Sequence, residues 1–337
     1  MTAAERISGG SVRGGRAETV PGRSRWAELD GPVHYLDFGG PAHGPLIVAV
    51  HGLGGAAVNW VALAPLLTRK YRMLAPDLAG HGLTSSDGRG ADVGSNRALL
   101  HRFIEAVSSR PVILMGNSMG GMIALLEAAA APSAVAGLVL VDPALPLQPV
   151  RPDPLVAAVF TMSAVPFLGP LLVRQRRFMP VESLVSSTLS LCCADPSRVP
   201  EEIVARHVEV ARQRTAMSGN ASDFANAARS VVETASFLRG ASYRRAIREL
   251  ECPALVIHGQ RDRLVPVSVA RMAAKAHPSW ALIELPDVGH VPQLEAPAES
   301  AAAIKTWLSG AGKPVVRAAS PSLRQVVTRI PASRKAS

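Results

Sequence analysis

The 337-residue chain is poor in charged and in aromatic residues: Asp, Glu, Lys and Arg make up 18% of it, and Phe, Trp and Tyr only 4%. Disordered chains lack apolar residues, so the 48% hydrophobic content excludes disorder for most of this one. Scarce aromatics also argue against binding by base stacking, and no nucleic-acid partner is expected. The net charge of +10 does not reverse this conclusion, because nearly all of the excess lies in residues 1–25 and 312–337.

Cysteine is equally scarce. Cys192, Cys193 and Cys252 are odd in number and lack the spacing of metal ligands, so neither a disulfide framework nor a metal site is expected. Such cysteine usage is typical of a reduced, cytoplasmic setting. The N-terminus lacks the apolar segment of a signal peptide, and residues 1–25 are predicted to be a disordered basic arm.

Long apolar runs are missing with one exception. Residues 154–173 are uncharged over 20 residues, which is enough to span a bilayer. Pro166 and the Gly169-Pro170 pair would break such a helix, so a buried or lid-like helix is predicted instead. A peripheral membrane contact through this segment, or through a flexible basic tail at 312–337, stays open.

Apolar runs bounded by turn residues alternate with helical patterns, which predicts an α/β fold with a mostly parallel central sheet flanked by helices. A hairpin with an Asp-Gly turn at residues 26–39 would open the sheet with antiparallel strands. The alternation stops after Asp142 and resumes near Cys252, so a helical cap is predicted at 145–250, within a core formed by 26–144 and 251–311. Further strands are predicted at 45–50, 71–78, 111–116, 135–142, 253–259 and 280–286.

The sequence "GNSMGG" lies between a predicted strand and a predicted helix. A sharp strand-to-helix turn strains its central residue and needs small neighbours, which the flanking glycines provide. Ser118 would then project from the carboxyl end of the sheet as a nucleophile, in a G-x-S-x-G pattern. The alternative is a glycine-rich turn with an incidental serine.

A neutral serine needs a general base, and the base needs an orienting acid. His290 lies in the loop after the last predicted strand and is the candidate base, whereas His51 and His81 are each followed by Gly and suit loop-shaping roles. Asp262 follows the preceding strand and is the candidate acid. Asp142 is the rival acid, since it also ends a strand at the same edge of the sheet.

Backbone amides and apolar side chains complete the predicted site. The amide of Met119, at a helix N-terminus, and that of Leu53, in the loop "HGLGG", are the expected donors to a developing oxyanion. Four apolar side chains are expected to line the substrate pocket: Trp60, Met122, Phe160 and Phe167.

The motifs "HGLGG", "PDLAGHG", "GNSMGG", "HGQRDRLVP" and "GHVPQLEAP" together resemble the α/β-hydrolase superfamily over about residues 26–311. The resemblance implies a helical cap inserted after the sixth strand and a catalytic triad of Ser118, Asp262 and His290. It also implies an oxyanion hole formed by Leu53 and Met119, with no metal or organic cofactor.

The sequence favours a carboxylic ester hydrolase of the esterase or lipase kind, acting on a small-molecule ester with a hydrophobic acyl group. The motif "GNSMGG", with Asn117 before the serine, resembles that of the carbon-carbon hydrolases that cleave ring-fission products. However, Val291 directly follows the candidate base, at a position where those enzymes commonly carry Trp. Thioesterase and haloperoxidase or perhydrolase activities remain alternatives. A non-catalytic binding protein on the same fold is a further one, although such proteins are expected to lack a triad residue.

Overall fold

The computed structural model describes residues 22–146, 179–217, 220–236 and 238–320. They form an eight-stranded sheet in the order β1-β2-β4-β3-β5-β6-β7-β8. The β1–β2 and β2–β4 pairs are antiparallel, and all other pairs are parallel. The strands are β1 Arg23–Glu28, β2 Pro32–Gly39, β3 Leu46–Val50, β4 Arg72–Pro76, β5 Val112–Asn117, β6 Val135–Val141, β7 Ala254–Gly259 and β8 Trp280–Leu285.

Helices cover both faces of this sheet. The described helices, numbered along the chain, are α1 Ala64–Leu67, α2 Val93–Val107, α3 Met119–Ala130, α4 Val181–Cys192, α5 Glu201–Thr215, α6 Asn220–Ala235, α7 Ala241–Arg248, α8 Val267–Ala276, α9 Pro292–Glu295, α10 Pro297–Ser309 and α11 Lys313–Ala318. Parallel strands covered on both faces are apolar throughout rather than alternating, and β3, β5 and β7 are buried along their whole length.

Side-chain alternation divides the core into two layers. Val48 and Val50 point into the layer formed with α2, α3, α7 and α8, whereas Ile47 and Ala49 point into the layer formed with α1, α10 and α11. The predicted fold class is confirmed, and all six strands predicted after the hairpin are present, as is the hairpin itself. The helical region after β8 is divided at Ala296 into α9 and α10, because the residue before a proline disfavours the helical conformation.

Two predicted boundaries of the core are wrong. Strand β1 begins at Arg23, inside the predicted disordered arm, because pairing with β2 satisfies its backbone. Helix α11 lies inside the predicted flexible tail, and Val315 on it is 1% exposed. A Cβ built on Gly137 of β6 would lie 2.6 Å from Cγ1 of Val315, so the helix packs directly on the sheet at a residue without a side chain.

Helices α4 to α7 lie between β6 and β7, where the cap was predicted. Val185, Leu189 and Cys193 form an apolar cluster with Val291 and Leu294, which belong to the loop and short helix after β8. The predicted apolar segment 154–173, with Phe160 and Phe167, lies outside the described residues. In the part of the chain that the structure describes, no helix is long and apolar enough to cross a membrane.

We expect Val315→Ala to lower the free energy of unfolding by about 1–3 kcal/mol, because it removes buried methyl groups from the contact with the sheet. Val316→Ala is the matched control, since Val316 is the next residue of α11 and only partly buried. Chemical denaturation of both variants measures the difference. Equal losses would show that α11 is not anchored through Val315.

Candidate active site

Ser118 lies at the junction of β5 and α3 in a strained backbone conformation. Its φ of 53° and ψ of −118° are rare for a residue with a side chain. Such strain costs on the order of 1–3 kcal/mol and persists only where the surroundings enforce it. The Ser118 amide donates to the Val141 carbonyl (3.1 Å), and its carbonyl accepts from the amide of Met122 (3.1 Å). The serine is therefore fixed in a strand-to-helix turn, as the sequence predicts.

The glycines around Ser118 explain how the turn is enforced. A Cβ on Gly120 would lie 2.2 Å from the carbonyl oxygen of Val50, and one on Gly116 would lie 2.4 Å from the carbonyl oxygen of Gly120. A Cβ on Gly121 would lie 2.8 Å from Cβ of Pro143. Contacts this close leave no room for a side chain, so the three glycines are required by the packing of α3 against β3, β5 and Pro143.

Asp262 and His290 form a buried hydrogen-bonded pair at the carboxyl edge of the sheet. Nδ1 of His290 lies 2.7 Å from Oδ2 of Asp262, and the residues are 3% and 8% exposed, respectively. The other oxygen, Oδ1, accepts from the amides of Leu264 (2.8 Å) and Val265 (3.0 Å). Burial by itself would raise the pKa of Asp262, but the charge and hydrogen bond of His290 hold it below its usual range. An ionised carboxylate can only accept, so Nδ1 of His290 carries the proton of this hydrogen bond, and Nε2 is the nitrogen left to act as a base.

The backbone of His290 is held by two further hydrogen bonds. Its amide donates to the carbonyl of Cys192 at the end of α4 (2.6 Å), and its carbonyl accepts from Nδ2 of Asn117 (3.0 Å). Nδ2 of Asn117 also donates to the carbonyl of Val141 (3.0 Å). Asn117, directly before Ser118, therefore joins the serine turn to the histidine loop. Apart from the placement of an amide beside the serine, no sequence signal indicated this role.

Two backbone amides lie beside Ser118. A Cβ on Gly52 would lie 3.1 Å from Cβ of Ser118, so the loop containing Leu53 contacts the serine turn directly. In the described part of the chain the amide of Leu53 donates no hydrogen bond. Met119 is the first residue of α3, where helix geometry provides no acceptor for the amide. Among the described residues, neither amide is therefore occupied by an acceptor of the protein itself.

A buried carboxylate ties the cap to the histidine loop. Glu295 is 3% exposed and accepts hydrogen bonds from the amides of Gly289 (2.8 Å), Ala194 (3.2 Å) and Asp195 (2.8 Å). Gly289 precedes His290, whereas Ala194 and Asp195 follow α4 of the cap. The position of the histidine loop is thereby coupled to the end of α4, a function that the sequence analysis did not assign to Glu295.

A second contact joins the cap to the loops after β3 and β4. Asp223 on α6 pairs with Arg214 on α5 (2.7 Å) and accepts a hydrogen bond from Oγ of Ser86 (2.8 Å). The ring of Phe224 covers Gly54, at 3.0 Å from the position of a Cβ there. Phe224 therefore lies next to the loop that carries Leu53, and sequence reasoning missed it because its partner is distant in the chain.

The structure does not support two of the predicted pocket residues. Trp60 is completely buried in the core layer with α1 and α10, and Met122 is completely buried in the layer on the other face. Both side chains are occupied by packing within the core, so neither forms a wall accessible to a substrate. The other two, Phe160 and Phe167, lie outside the described residues.

A strained serine between a parallel strand and a helix, with a histidine-carboxylate pair at the same sheet edge, defines a class of hydrolytic α/β enzymes. Residues 47–303 match the model of the alpha/beta hydrolase family, so the chain belongs to this family.

Three relatives illustrate the range of the family. The monoacylglycerol lipase ABHD6 of Homo sapiens is 27% identical over 289 residues, covering 82% of this chain and 81% of that protein. A pimeloyl-[acyl-carrier protein] methyl ester esterase of Methylococcus capsulatus is 31% identical over 253 residues (74% and 89%). A 2-hydroxy-6-oxo-6-(2'-aminophenyl)hexa-2,4-dienoic acid hydrolase of Metapseudomonas resinovorans is 27% identical over 288 residues (82% and 87%).

We expect Glu295→Gln to loosen the contact between α4 and the histidine loop, because a side-chain NH₂ would face amide donors that now bind a carboxylate oxygen. Hydrogen exchange followed by mass spectrometry should show faster exchange, by about tenfold or more, at Gly289, Ala194 and Asp195. Glu299→Gln, on the exposed side of the nearby α10, is the control. Unchanged exchange in Glu295→Gln would contradict the assigned coupling.

Proposed function

We propose that the protein is a serine hydrolase that cleaves a carboxylic ester with a hydrophobic acyl group, through an acyl-enzyme on Ser118. The observation that carries the proposal is the connection between the strained serine turn and a histidine-carboxylate pair. Asn117 joins the turn to the loop of His290, and Nδ1 of His290 is hydrogen-bonded to the buried Asp262. A structural glycine turn would need neither this strain nor a buried pair of this kind.

In the proposed reaction, Oγ of Ser118 attacks the ester carbonyl carbon while Nε2 of His290 takes the hydroxyl proton. The amides of Leu53 and Met119 stabilise the oxyanion of the tetrahedral intermediate, and Asp262 stabilises the imidazolium. Collapse breaks the bond to the alkoxy group, which leaves as an alcohol with the proton from His290. Water then attacks the acyl-enzyme by the same steps and releases the carboxylic acid, with no metal or organic cofactor required.

A hydrophobic acyl group is supported by the apolar character of the surrounding chain. Leu53 lies on the loop beside the serine, and Phe224 lies on α6 with its ring against that loop. Both side chains are partly exposed. In the sequence, the uncharged segment 154–173 lies between β6 and α4. Two relatives, the lipase and the methyl ester esterase, carry names that describe ester hydrolysis.

Carbon-carbon bond hydrolysis is the second candidate, and it is supported by the dienoic acid hydrolase among the relatives. The sequence "GNSMGG" also favours carbon-carbon bond hydrolysis. However, the hydrogen bonds of Asn117 to the backbone explain the presence of an Asn before the serine without requiring a particular substrate. A thioester would pass through the same acyl-enzyme, and so would the first half of a perhydrolase reaction.

The nucleophile assignment predicts that a fluorophosphonate probe labels the wild-type protein and that Ser118→Ala abolishes the labelling, because only an activated serine attacks the probe. Gel fluorescence or intact mass measures this. Ser187→Ala, an exposed serine on the cap helix α4, is the control and should label normally. Undiminished labelling of the Ser118→Ala protein would contradict the assignment of Ser118 as the nucleophile.

The substrate assignment predicts that kcat/KM for p-nitrophenyl esters rises with acyl length, by up to about fourfold per methylene that is buried. A ring-fission product assayed beside this series should be turned over far more slowly. His290→Ala should lower kcat for the esters by about 10³-fold or more, because the serine loses its base. Turnover of the ring-fission product alone would favour the carbon-carbon reaction over ester hydrolysis.

A further inference from the structure

A second carboxyl group lies beside the Asp262–His290 pair. Asp142 follows β6 at the same edge of the sheet, with a positive φ of 42° and no solvent exposure. A carboxyl oxygen of Asp142, one of Asp262 and a ring nitrogen of His290 all lie within 4.8 Å of one another. The proposed mechanism uses only Asp262, so the presence of a second buried acid at this distance needs an explanation.

The hydrogen bonds of the two carboxyl groups are unequal. Asp262 accepts from the amides of Leu264 and Val265 and from Nδ1 of His290. Asp142 accepts one amide hydrogen bond on Oδ1, from Gly259 (2.9 Å), and among the described residues no donor reaches its Oδ2. The environment therefore stabilises a carboxylate at Asp262 and leaves one oxygen of Asp142 without a donor.

His258 lies close to both acids, and its hydrogen bond to a carbonyl indicates that it is neutral. Its Nε2 lies 2.8 Å from the carbonyl oxygen of Val265, so Nε2 carries a proton, and it is 3.5 Å from Asp142 and 3.4 Å from Asp262. Its buried Nδ1 has no partner within the described residues, so a second proton there would be an unsatisfied buried donor. Burial accordingly lowers the pKa of His258, although Asp262 opposes this.

Two ionised carboxylates would thus share a buried site in which, among the described residues, His290 could balance at most one of the two charges. Such an arrangement is strongly unfavourable, and one of the two acids keeps its proton. Glu295 adds further negative potential from the histidine-loop side. The donors around Asp262 decide which acid ionises, and they leave the proton on Asp142.

We propose that Asp142 is the neutral member of a carboxyl pair, with its Oδ2 proton directed at Asp262, and that it acts as a positioning residue for the acid of the triad. The second part rests on the proposed function, whereas the protonation state does not. Burial, followed by the charge of Asp262, raises the pKa of Asp142 well above its usual range, in agreement with the geometry. The pair then carries a single negative charge, which matches the single positive charge that His290 acquires in the reaction.

Infrared spectroscopy tests the protonation state without any assay of activity. At pH 7 the wild-type protein should show the carbonyl stretch of a protonated carboxyl group, shifted by ¹³C labelling of aspartate and absent from Asp142→Asn. Asp37→Asn, which removes an Asp paired with Arg72 and hence ionised, should leave the band unchanged. Absence of any ¹³C-sensitive band in the wild-type protein would overturn the proposal, whether or not the variant folds.

The pH profile of kcat/KM for a p-nitrophenyl ester tests the positioning role. Asp142→Asn keeps a neutral donor facing Asp262, so activity should stay within about threefold and the acid limb should stay in place, because no charge is lost. Asp142→Ala removes the donor and should lower kcat by about tenfold or more, since a hydrogen bond to a charged group is lost. An acid limb displaced by about one pH unit or more in Asp142→Asn would show that Asp142 is ionised and would overturn the proposal.

Equal activity of Asp142→Ala and wild type would overturn the positioning role and leave the protonation state to the infrared result. Failure of ester hydrolysis in the wild-type protein would instead count against the proposed function, without affecting the infrared band. The two outcomes are therefore distinguishable.

Discussion

The whole site depends on how closely three backbone segments approach one another at the serine turn. Gly116 and Gly120 bring β5, α3 and the end of β3 so near that a single added carbon would overlap a carbonyl oxygen. This contact forces Ser118 into its strained conformation and places it at the end of the sheet. The cost, on the order of 1–3 kcal/mol, is small against the burial of the strands and helices on both sides.

Histidine placement is shared by several elements rather than fixed by the triad acid alone. Asp262 orients the ring of His290, Asn117 holds its carbonyl, and Cys192 of the cap accepts its amide hydrogen. Glu295 adds a link between the same loop and the residues after α4. The cap is therefore part of the support of the site, and changes in its packing are transmitted directly to the backbone of the histidine loop.

Local patterns account for what the sequence could predict. The strands, the hairpin and the serine turn each follow from apolar runs, glycines and turn residues within a few positions of one another. The contacts that escaped prediction are long-range: Val315 meets Gly137, Phe224 meets Gly54, and Glu295 binds the amide of Asp195. Trp60 was misassigned for the same reason, because an aromatic residue after a loop suits a pocket or a core equally until its neighbours are known.

The distance to His290 alone does not decide which of the two candidate acids carries the negative charge. Asp142 and Asp262 both end strands at one edge of the sheet, and both lie close to His290. They differ in the donors that surround them, because the turn after β7 directs the amides of Leu264 and Val265 at Asp262, whereas among the described residues the amide of Gly259 alone reaches Asp142. In a buried site the donors around each carboxyl group, the histidine ring among them, determine which group carries the charge.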